Sequence, residues 1–184
     1  WYLGRLRYGH VIAAAEELVS DGADAITTNC GFLSIFQKEL SAAVRVPVLT
    51  SSLMQVSTVN MLLPDSKKAG ILTISKSTLS DAHLRAANVP SDTPIGTTED
   101  GAEFSRVILN DELQLNTELA RTDNINAALK MKTNHPDLGA IILECTNMSP
   151  YAEAIQEAVE LPVFSIVNLV EWLHAGLKPK RFSS

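Results

Sequence analysis

The chain has 184 residues, of which 46% are hydrophobic and 20% are charged, and its formal net charge is −6 at pH 7. These proportions exclude a largely disordered chain and are typical of a globular protein with a sizeable core. The acidic balance and the lack of a Lys/Arg-rich run argue against nucleic acid and anionic membranes as partners. No apolar stretch is long enough to span a membrane and no secretory signal is visible, so we expect a cytoplasmic protein.

Short apolar runs alternate with longer segments of helical periodicity along the whole chain. The runs are almost continuously apolar, as in strands of a parallel sheet that is covered on both faces. This alternation predicts right-handed βαβ units and therefore an α/β fold. The predicted strands are 23–28, 46–51, 69–75, 94–97, 138–144 and 162–166. The predicted helices are 8–20, 33–44, 54–63, 78–87, 103–110, 112–133, 150–160 and 167–175.

A polar stretch at residues 64–68 marks the expected boundary between two α/β units. The first unit is predicted to span residues 1–65 and to be completed by residues 165–184, whose helix returns to pack on it. The second unit is predicted to span residues 66–164. Each unit would then contain its own parallel sheet with helices on its faces.

The only two cysteines of the chain, Cys30 and Cys145, occupy equivalent positions of a repeated pattern. Each lies four residues after an Ala-Ile pair, and each is followed by sixteen residues and then by Pro-Val. An offset of 115 residues superimposes the two copies. A parallel sheet does not require this identical spacing, so we interpret the repeat as two similar units that present one thiol each.

The positions of the two cysteines suggest proton transfer. Their separation predicts neither a disulfide framework nor a zinc site. Ligands of open parallel sheets bind beyond the carboxyl ends of the strands, where both cysteines are expected. The N–H groups of a helix that starts there can lower the pKa of a thiol, and a thiolate can remove a proton while an opposing thiol delivers one. The alternative is that both cysteines are core residues that fill space.

Polar residues near the predicted strand ends are candidates for holding a carboxylate through hydroxyls, amides and backbone N–H groups. The alternative is that they cap helices and turns. The four histidines lack metal-ligand spacing and no Gly-rich phosphate loop occurs, so we expect neither a metal nor another cofactor. The candidate catalytic residues are Cys30 and Cys145, and the candidate substrate-binding residues are Asn29, Gly31, Thr50, Ser51, Ser52, Ser75, Thr78, Thr146 and Asn147.

Residues 25–32 (AITTNCGF) and 139–147 (GAIILECTN) resemble the aspartate/glutamate/hydantoin racemase superfamily. The resemblance implies two similar flavodoxin-like parallel-sheet units related by a pseudo-twofold axis, with the active site between them. It also implies that Cys30 and Cys145 act as a thiolate and a thiol on the α-carbon of the substrate, without a cofactor.

The chain also departs from the pattern of glutamate racemases. Gly31-Phe32 stands where Asn-Thr is usual, and Asn147 stands where His is usual. These differences indicate the poorly characterised aspartate/glutamate-racemase-like branch of the superfamily. We further expect the N-terminal strand of the first unit to be missing, since it would lie before Trp1.

The leading hypothesis is a cofactor-independent racemase or epimerase that acts on an amino acid or a related small carboxylate. One alternative is a maleate isomerase-like or arylmalonate decarboxylase-like enzyme, in which the two cysteines would have unequal roles. Another is a non-catalytic protein that binds a small ligand on the same fold. The expected partner is a small carboxylate substrate rather than nucleic acid or a membrane, and homo-oligomerisation is left open.

Overall fold

The computed structural model describes residues 2–182, with side chains from residue 9 onwards. Strands and helices alternate as the sequence predicts. The strands are β1 (Ile26–Thr27), β2 (Val48–Leu49), β3 (Lys68–Thr73), β4 (Ile95–Thr97), β5 (Leu138–Leu143) and β6 (Val163–Phe164). The helices are α1 (Tyr2–Ser20), α2 (Gln37–Ala43), α3 (Val56–Leu62), α4 (Asp81–Ala86), α5 (Phe104–Leu109), α6 (Thr117–Asn134), α7 (Ala152–Val159) and α8 (Ile166–Leu177).

The strands form two parallel sheets. β1 and β2 pair with each other, and the other four strands form a sheet in the order β4-β3-β5-β6. Every strand pair is parallel, which requires a crossover between successive strands. The prediction of an α/β fold with parallel sheets is confirmed.

The two central strands of the larger sheet, β3 and β5, are buried on both faces, which explains why they are almost continuously apolar. Successive side chains of a strand point to opposite faces. Accordingly, Leu72 and Leu143 belong to one buried cluster, whereas Ile71 and Ile142 belong to another. The two-stranded sheet has a smaller cluster around Ile26. None of the described helices is long and apolar enough to cross a membrane.

The sequence repeat is also a structural repeat. Ile26 pairs with Val48 in the first copy, and Ile141 pairs with Val163 in the second. The two pairs differ by 115 residues at both positions, which is the offset of the sequence repeat. A 3₁₀ segment follows each cysteine, Gly31–Phe36 in the first copy and Thr146–Tyr151 in the second, again 115 residues apart. The same local pattern therefore folds the same way twice.

Several helices begin differently from the prediction. The helices expected at 33–44, 54–63 and 150–160 each contain or follow a 3₁₀ segment before the α-helix starts. The helix expected from residue 78 begins at Asp81, because Ser80 caps it in a reciprocal pair with His83. The predicted boundary at residues 64–68 follows α3 and ends at the first residue of β3. The domain limits stay a prediction, and the strand expected before Trp1 and residues 183–184 lie outside the described residues.

Candidate active site

Both cysteines lie at the turn between a strand and a 3₁₀ segment. Cys30 and Cys145 are the N-cap residues of their segments and have extended backbone conformations. The carbonyl of each cysteine accepts a hydrogen bond from the N–H three residues later, Leu33 and Met148, at 3.0 Å in both copies. Both thiols are free. Each cysteine therefore leaves its strand in the same way, with its sulfur at the carboxyl end of a parallel sheet.

The two cysteine-bearing turns contact each other. The Thr146 hydroxyl, next to Cys145, donates a hydrogen bond of 2.7 Å to the backbone carbonyl of Asn29, next to Cys30. The thiols also interact electrostatically, because a charge on Cys30 raises the pKa of Cys145. The structure thus brings together two residues that are 115 positions apart in the chain.

The environments of the two thiols are unequal. Cys30 is exposed, whereas Cys145 is half-buried. Burial, and then the charge of Glu144, raise the pKa of Cys145 from 9.0 to about 12. The N–H groups of Asn147 and Met148 act in the opposite direction. The N–H groups thus act on the thiol as the sequence suggested, but for Cys145 the loss of hydration outweighs them and the net pKa is raised.

Residues beside the thiols divide into accessible and buried groups. Asn29 and Asn147 are exposed, and Thr146 is half-buried. Binding of substrate by these three residues stays a prediction. Gly31 is buried, and a Cβ built on it would lie 2.8 Å from Cδ of Glu144. Gly31 therefore allows the close approach of the second cysteine turn and has no side chain with which to bind.

The predicted binding hydroxyls after β2 are buried and have partners within the protein. Thr50 donates to the side-chain oxygen of Gln37 at 2.7 Å. Ser51 accepts from Leu53 N–H at 3.2 Å, and Ser52 donates to the Leu143 carbonyl at 2.6 Å. Ser51 caps the 3₁₀ segment that follows it, which is the alternative that the sequence left open. Thr50 and Ser52 instead connect to other segments of the chain. Binding of substrate by these three residues stays a prediction.

The loop after β3 already holds a carboxylate, that of Glu99. The Ser75 hydroxyl donates to Glu99 at 2.9 Å, and Thr78 donates to Ser75 at 2.8 Å. Burial opposes the charge of Glu99, but the hydroxyls of Ser77, Ser75 and Thr97 and the Ser77 N–H bring its pKa down to about 2. In this structure the loop holds a carboxylate of the chain itself, which Ser75 contacts directly and Thr78 only through Ser75. Binding of substrate by Ser75 and Thr78 stays a prediction.

Sequence reasoning missed Glu144 as part of the site. Its side chain is only 1% exposed, and the Thr73 hydroxyl donates to it at 2.8 Å. Burial raises the pKa of Glu144 to about 7, although the Thr73 hydroxyl and the Ile74 N–H act against this rise. The available signal was a lone carboxylate at the end of an otherwise apolar strand.

An open cavity of about 530 Å³ lies beside the first cysteine turn, between α1 and β1. Thr28, Asn29 and Leu33 line it, but neither cysteine does. The cavity therefore adjoins the thiols without containing them. Among the described residues, no group of three or more His, Cys, Asp or Glu side chains is arranged to hold a metal ion.

One curated relative and two solved structures show what the chain is similar to. A dimethylsulfoniopropionate lyase from Durusdinium sp. clade D is 27% identical over 162 residues, which cover 84% of this chain and 53% of that protein. The chain thus spans about half the length of this relative. The allantoin racemase from Klebsiella pneumoniae is 17% identical with a TM-score of 0.63, over 95% of this chain and 74% of that one. An unliganded arylmalonate decarboxylase is 14% identical with a TM-score of 0.62, over 97% and 79%.

At these identities the two structures establish the fold alone, and they confirm the predicted type of α/β architecture. The sequence itself establishes the family. The sequence model described as Asp/Glu/Hydantoin racemase matches residues 7–172, which is most of the chain. The resemblance that the two cysteine motifs suggested is therefore confirmed, and the chain belongs to the Asp/Glu/Hydantoin racemase family.

Proposed function

We propose that the chain acts, without a cofactor, on a carbon atom next to the carboxylate of a small substrate, with Cys30 and Cys145 transferring protons. The observation that carries this proposal is the direct contact between the two cysteine turns, through Thr146 and Asn29. One thiol from each half of the repeat is thereby available to one bound molecule. Removal of an α-proton by a thiolate, with a thiol as proton donor, uses these groups without further residues.

The different environments of the two thiols suggest which cysteine is the proton donor and which is the base. Cys145 keeps its proton because its pKa is raised to about 12, chiefly by burial. Cys145 is therefore the proton donor, and Cys30, which is exposed, is the base. The side chains of Asn29, which precedes Cys30, and of Asn147, two residues after Cys145, are exposed and could hold the substrate carboxylate through their amide groups.

The unequal pair favours a reaction that runs in one direction, such as elimination. The lyase named among the relatives acts on dimethylsulfoniopropionate, a carboxylate with a sulfonium group on its β-carbon. In an elimination, the thiolate takes the α-proton and the C–H electron pair forms a carbon–carbon double bond. The C–S bond breaks in the same reaction, and dimethyl sulfide leaves with the electron pair of that bond. Only one base is needed, and the exposed Cys30 is accessible to a substrate.

An amino-acid racemase, the activity expected from the sequence, is the second candidate. The family description and the similarity to allantoin racemase favour it. A racemase must work in both directions, so Cys30 and Cys145 would have to exchange the roles of base and acid. A decarboxylase would need Cys145 alone as a donor to the carbanion. The racemase would use both thiols and the decarboxylase only that of Cys145, and a reducing compartment such as the cytoplasm would preserve free thiols.

Solvent deuterium distinguishes these reactions. The protein is incubated in D₂O with dimethylsulfoniopropionate, aspartate and glutamate, and the α-carbon deuterium and released dimethyl sulfide are measured. We expect Cys30→Ser to abolish both signals. Cys145→Ser should retain elimination if the protein is a lyase and should lose racemisation if it is a racemase. Turnover or exchange that persists in the double variant refutes the two-thiol mechanism.

A further inference from the structure

The carboxylate of Glu99 sits in a cradle of hydrogen-bond donors at the ends of two neighbouring strands, β3 and β4. Its Oε1 accepts from the hydroxyl of Ser75, at 2.9 Å, and from that of Ser77. Its Oε2 accepts from the Lys76 N–H at 3.0 Å and from the Thr97 hydroxyl at 3.1 Å. These four residues are called the Glu99 cradle below, and both oxygens of the carboxylate have partners in it.

The Glu99 cradle holds its carboxylate through uncharged groups. Hydroxyls and backbone N–H groups that converge on one point form an anion site without a positive side chain. The Lys76 ammonium donates instead to the Ile95 carbonyl at 3.1 Å. The hydroxyl and N–H donors outweigh burial and hold the pKa of Glu99 at about 2. The cradle therefore recognises an ionised carboxylate group, whichever molecule carries it.

The cradle and its occupant differ in exposure. The Ser75 side chain belongs to a residue that is only 3% exposed, whereas Glu99 is exposed. Glu99 can thus return to water, where a carboxylate is well hydrated. The Ser75 hydroxyl would then lack its acceptor, and a buried donor without a partner is costly. An emptied cradle therefore favours a new anion, and exchange of one carboxylate for another leaves the charge of the site unchanged.

The cradle lies at the same edge of the larger sheet as Cys145. β3 pairs with β5, and Cys145 follows β5. The Thr73 hydroxyl accepts a hydrogen bond from the Ser75 N–H at 3.3 Å and donates to the carboxyl group of Glu144 at 2.8 Å. One hydroxyl thus connects the cradle to the residue before Cys145. Ligands of parallel sheets bind at this carboxyl edge.

We propose that Glu99 is an internal competitor, which fills the cradle in the free protein and is displaced by the carboxylate of an incoming small molecule. The inference rests on the proposed function for the identity of that molecule, the substrate on which the two thiols act. The exchange breaks and forms hydrogen bonds only, so no proton or electron is transferred. Glu99 thereby sets the concentration at which a carboxylate binds, because only protein with an open cradle is competent.

Acetate is the probe that tests the exchange. Thermal unfolding of the parent protein and of Glu99→Ala is followed as sodium acetate is added, with sodium chloride keeping the ionic strength constant. A ligand that binds only the folded protein raises Tm as its concentration rises above the dissociation constant. We expect the dissociation constant of acetate to be at least about tenfold lower in Glu99→Ala, since the parent cradle is open in less than about a tenth of the molecules.

Asp100→Ala is the matched control. Asp100 is the next residue and is also exposed, but its carboxylate accepts from the Lys130 ammonium at 2.7 Å. Asp100→Ala should bind acetate as the parent protein does. Adding Ser77→Ala to Glu99→Ala should weaken acetate binding about tenfold, because one hydrogen bond to a charged group is lost. A response of Glu99→Ala to acetate that equals that of Asp100→Ala overturns the inference.

Glu99→Gln decides the matter if Glu99→Ala does not fold. The amide keeps the size of the side chain, but only one of its two polar atoms accepts hydrogen bonds. It therefore competes for the cradle less well than the carboxylate does. Acetate should bind more tightly to Glu99→Gln than to the parent protein, and unchanged binding overturns the inference.

Two candidate substrates connect the cradle with the thiols. Dimethylsulfoniopropionate and aspartate are titrated in the same way in a Cys30→Ser background, in which we expect neither to be consumed. Each compound that binds should bind more tightly when Glu99→Ala is added, and an unchanged affinity overturns the inference. If neither compound binds while acetate does, the proposed function is contradicted and the exchange of carboxylates at the cradle is supported.

Discussion

Gly31→Ala is a direct test of how closely the two cysteine turns pack. A Cβ at this position would lie 2.8 Å from Cδ of Glu144 and still closer to the Oε1 and backbone O atoms of that residue. Non-bonded carbon atoms prefer about 3.5–4.0 Å. The backbone of Glu144 cannot easily move away, because its N–H bonds the Leu72 carbonyl at 2.9 Å. The added methyl group must therefore displace the first cysteine turn.

We expect Gly31→Ala to lower the free energy of unfolding by about 3 kcal/mol, the upper end of the usual cost of overpacking. For a chain of this size that loss corresponds to a decrease in Tm of roughly 6–12 °C. Gly176→Ala is the matched control, since no atom lies within 4 Å of its Cβ position in α8. That substitution should raise stability by about 0.5–1 kcal/mol, as replacement of a helical glycine usually does.

Urea unfolding of both variants measures these changes, and combining Gly31→Ala with Glu144→Ala refines the cause. Removing the Glu144 side chain relieves the contacts with Cδ and Oε1 but leaves the contact with the backbone oxygen. Recovery should therefore be partial, with a measurable coupling between the two sites. A Gly31→Ala protein within about 0.5 kcal/mol of the parent protein would refute the packing argument.

Two further substitutions test the surroundings of the site. The pKa of Glu99 is lowered from 4.5 to about 2, so its stabilising effect is present above about pH 4.5 and is lost as the pH falls through about 2. Glu99→Gln should flatten this acid-side decline in Tm, and parallel pH profiles would contradict the assignment. Gln37→Ala removes hydrogen bonds to Thr50 and Val48 and should cost about 2 kcal/mol in urea unfolding. The exposed Gln156→Ala serves as control and should change stability by no more than about 0.5 kcal/mol.

Local signals predicted the order of the elements but not every helix start. The helix expected at residues 112–133 begins at Thr117, because the Asn116 side chain accepts hydrogen bonds from the Glu118 and Leu119 N–H groups. Asp111 has a positive φ of 53°, a backbone conformation that cannot be part of a right-handed helix. Several residues near these positions could cap a helix, and the tertiary contacts select one of them.

The candidate site was predictable in part. The spacing of the repeat placed Cys30 and Cys145 at equivalent strand ends, and the structure shows their turns in contact. The hydroxyls of Thr50 and Ser52 were indistinguishable in sequence from ligand-binding groups, yet both are buried with partners in the protein. Whether a hydroxyl faces a ligand or a neighbouring carbonyl depends on residues far away in the chain, so composition and spacing cannot decide it.

The sequence by itself determined the α/β alternation, the repeat with an offset of 115 residues and the pair of cysteines. These features depend on residues that are close together in the chain, so they can be recognised locally. Only the tertiary structure decided that burial raises the pKa of Cys145 and that Glu144 lies against Gly31. The physical reason is that burial and charge act through space, between segments that meet only when the chain folds.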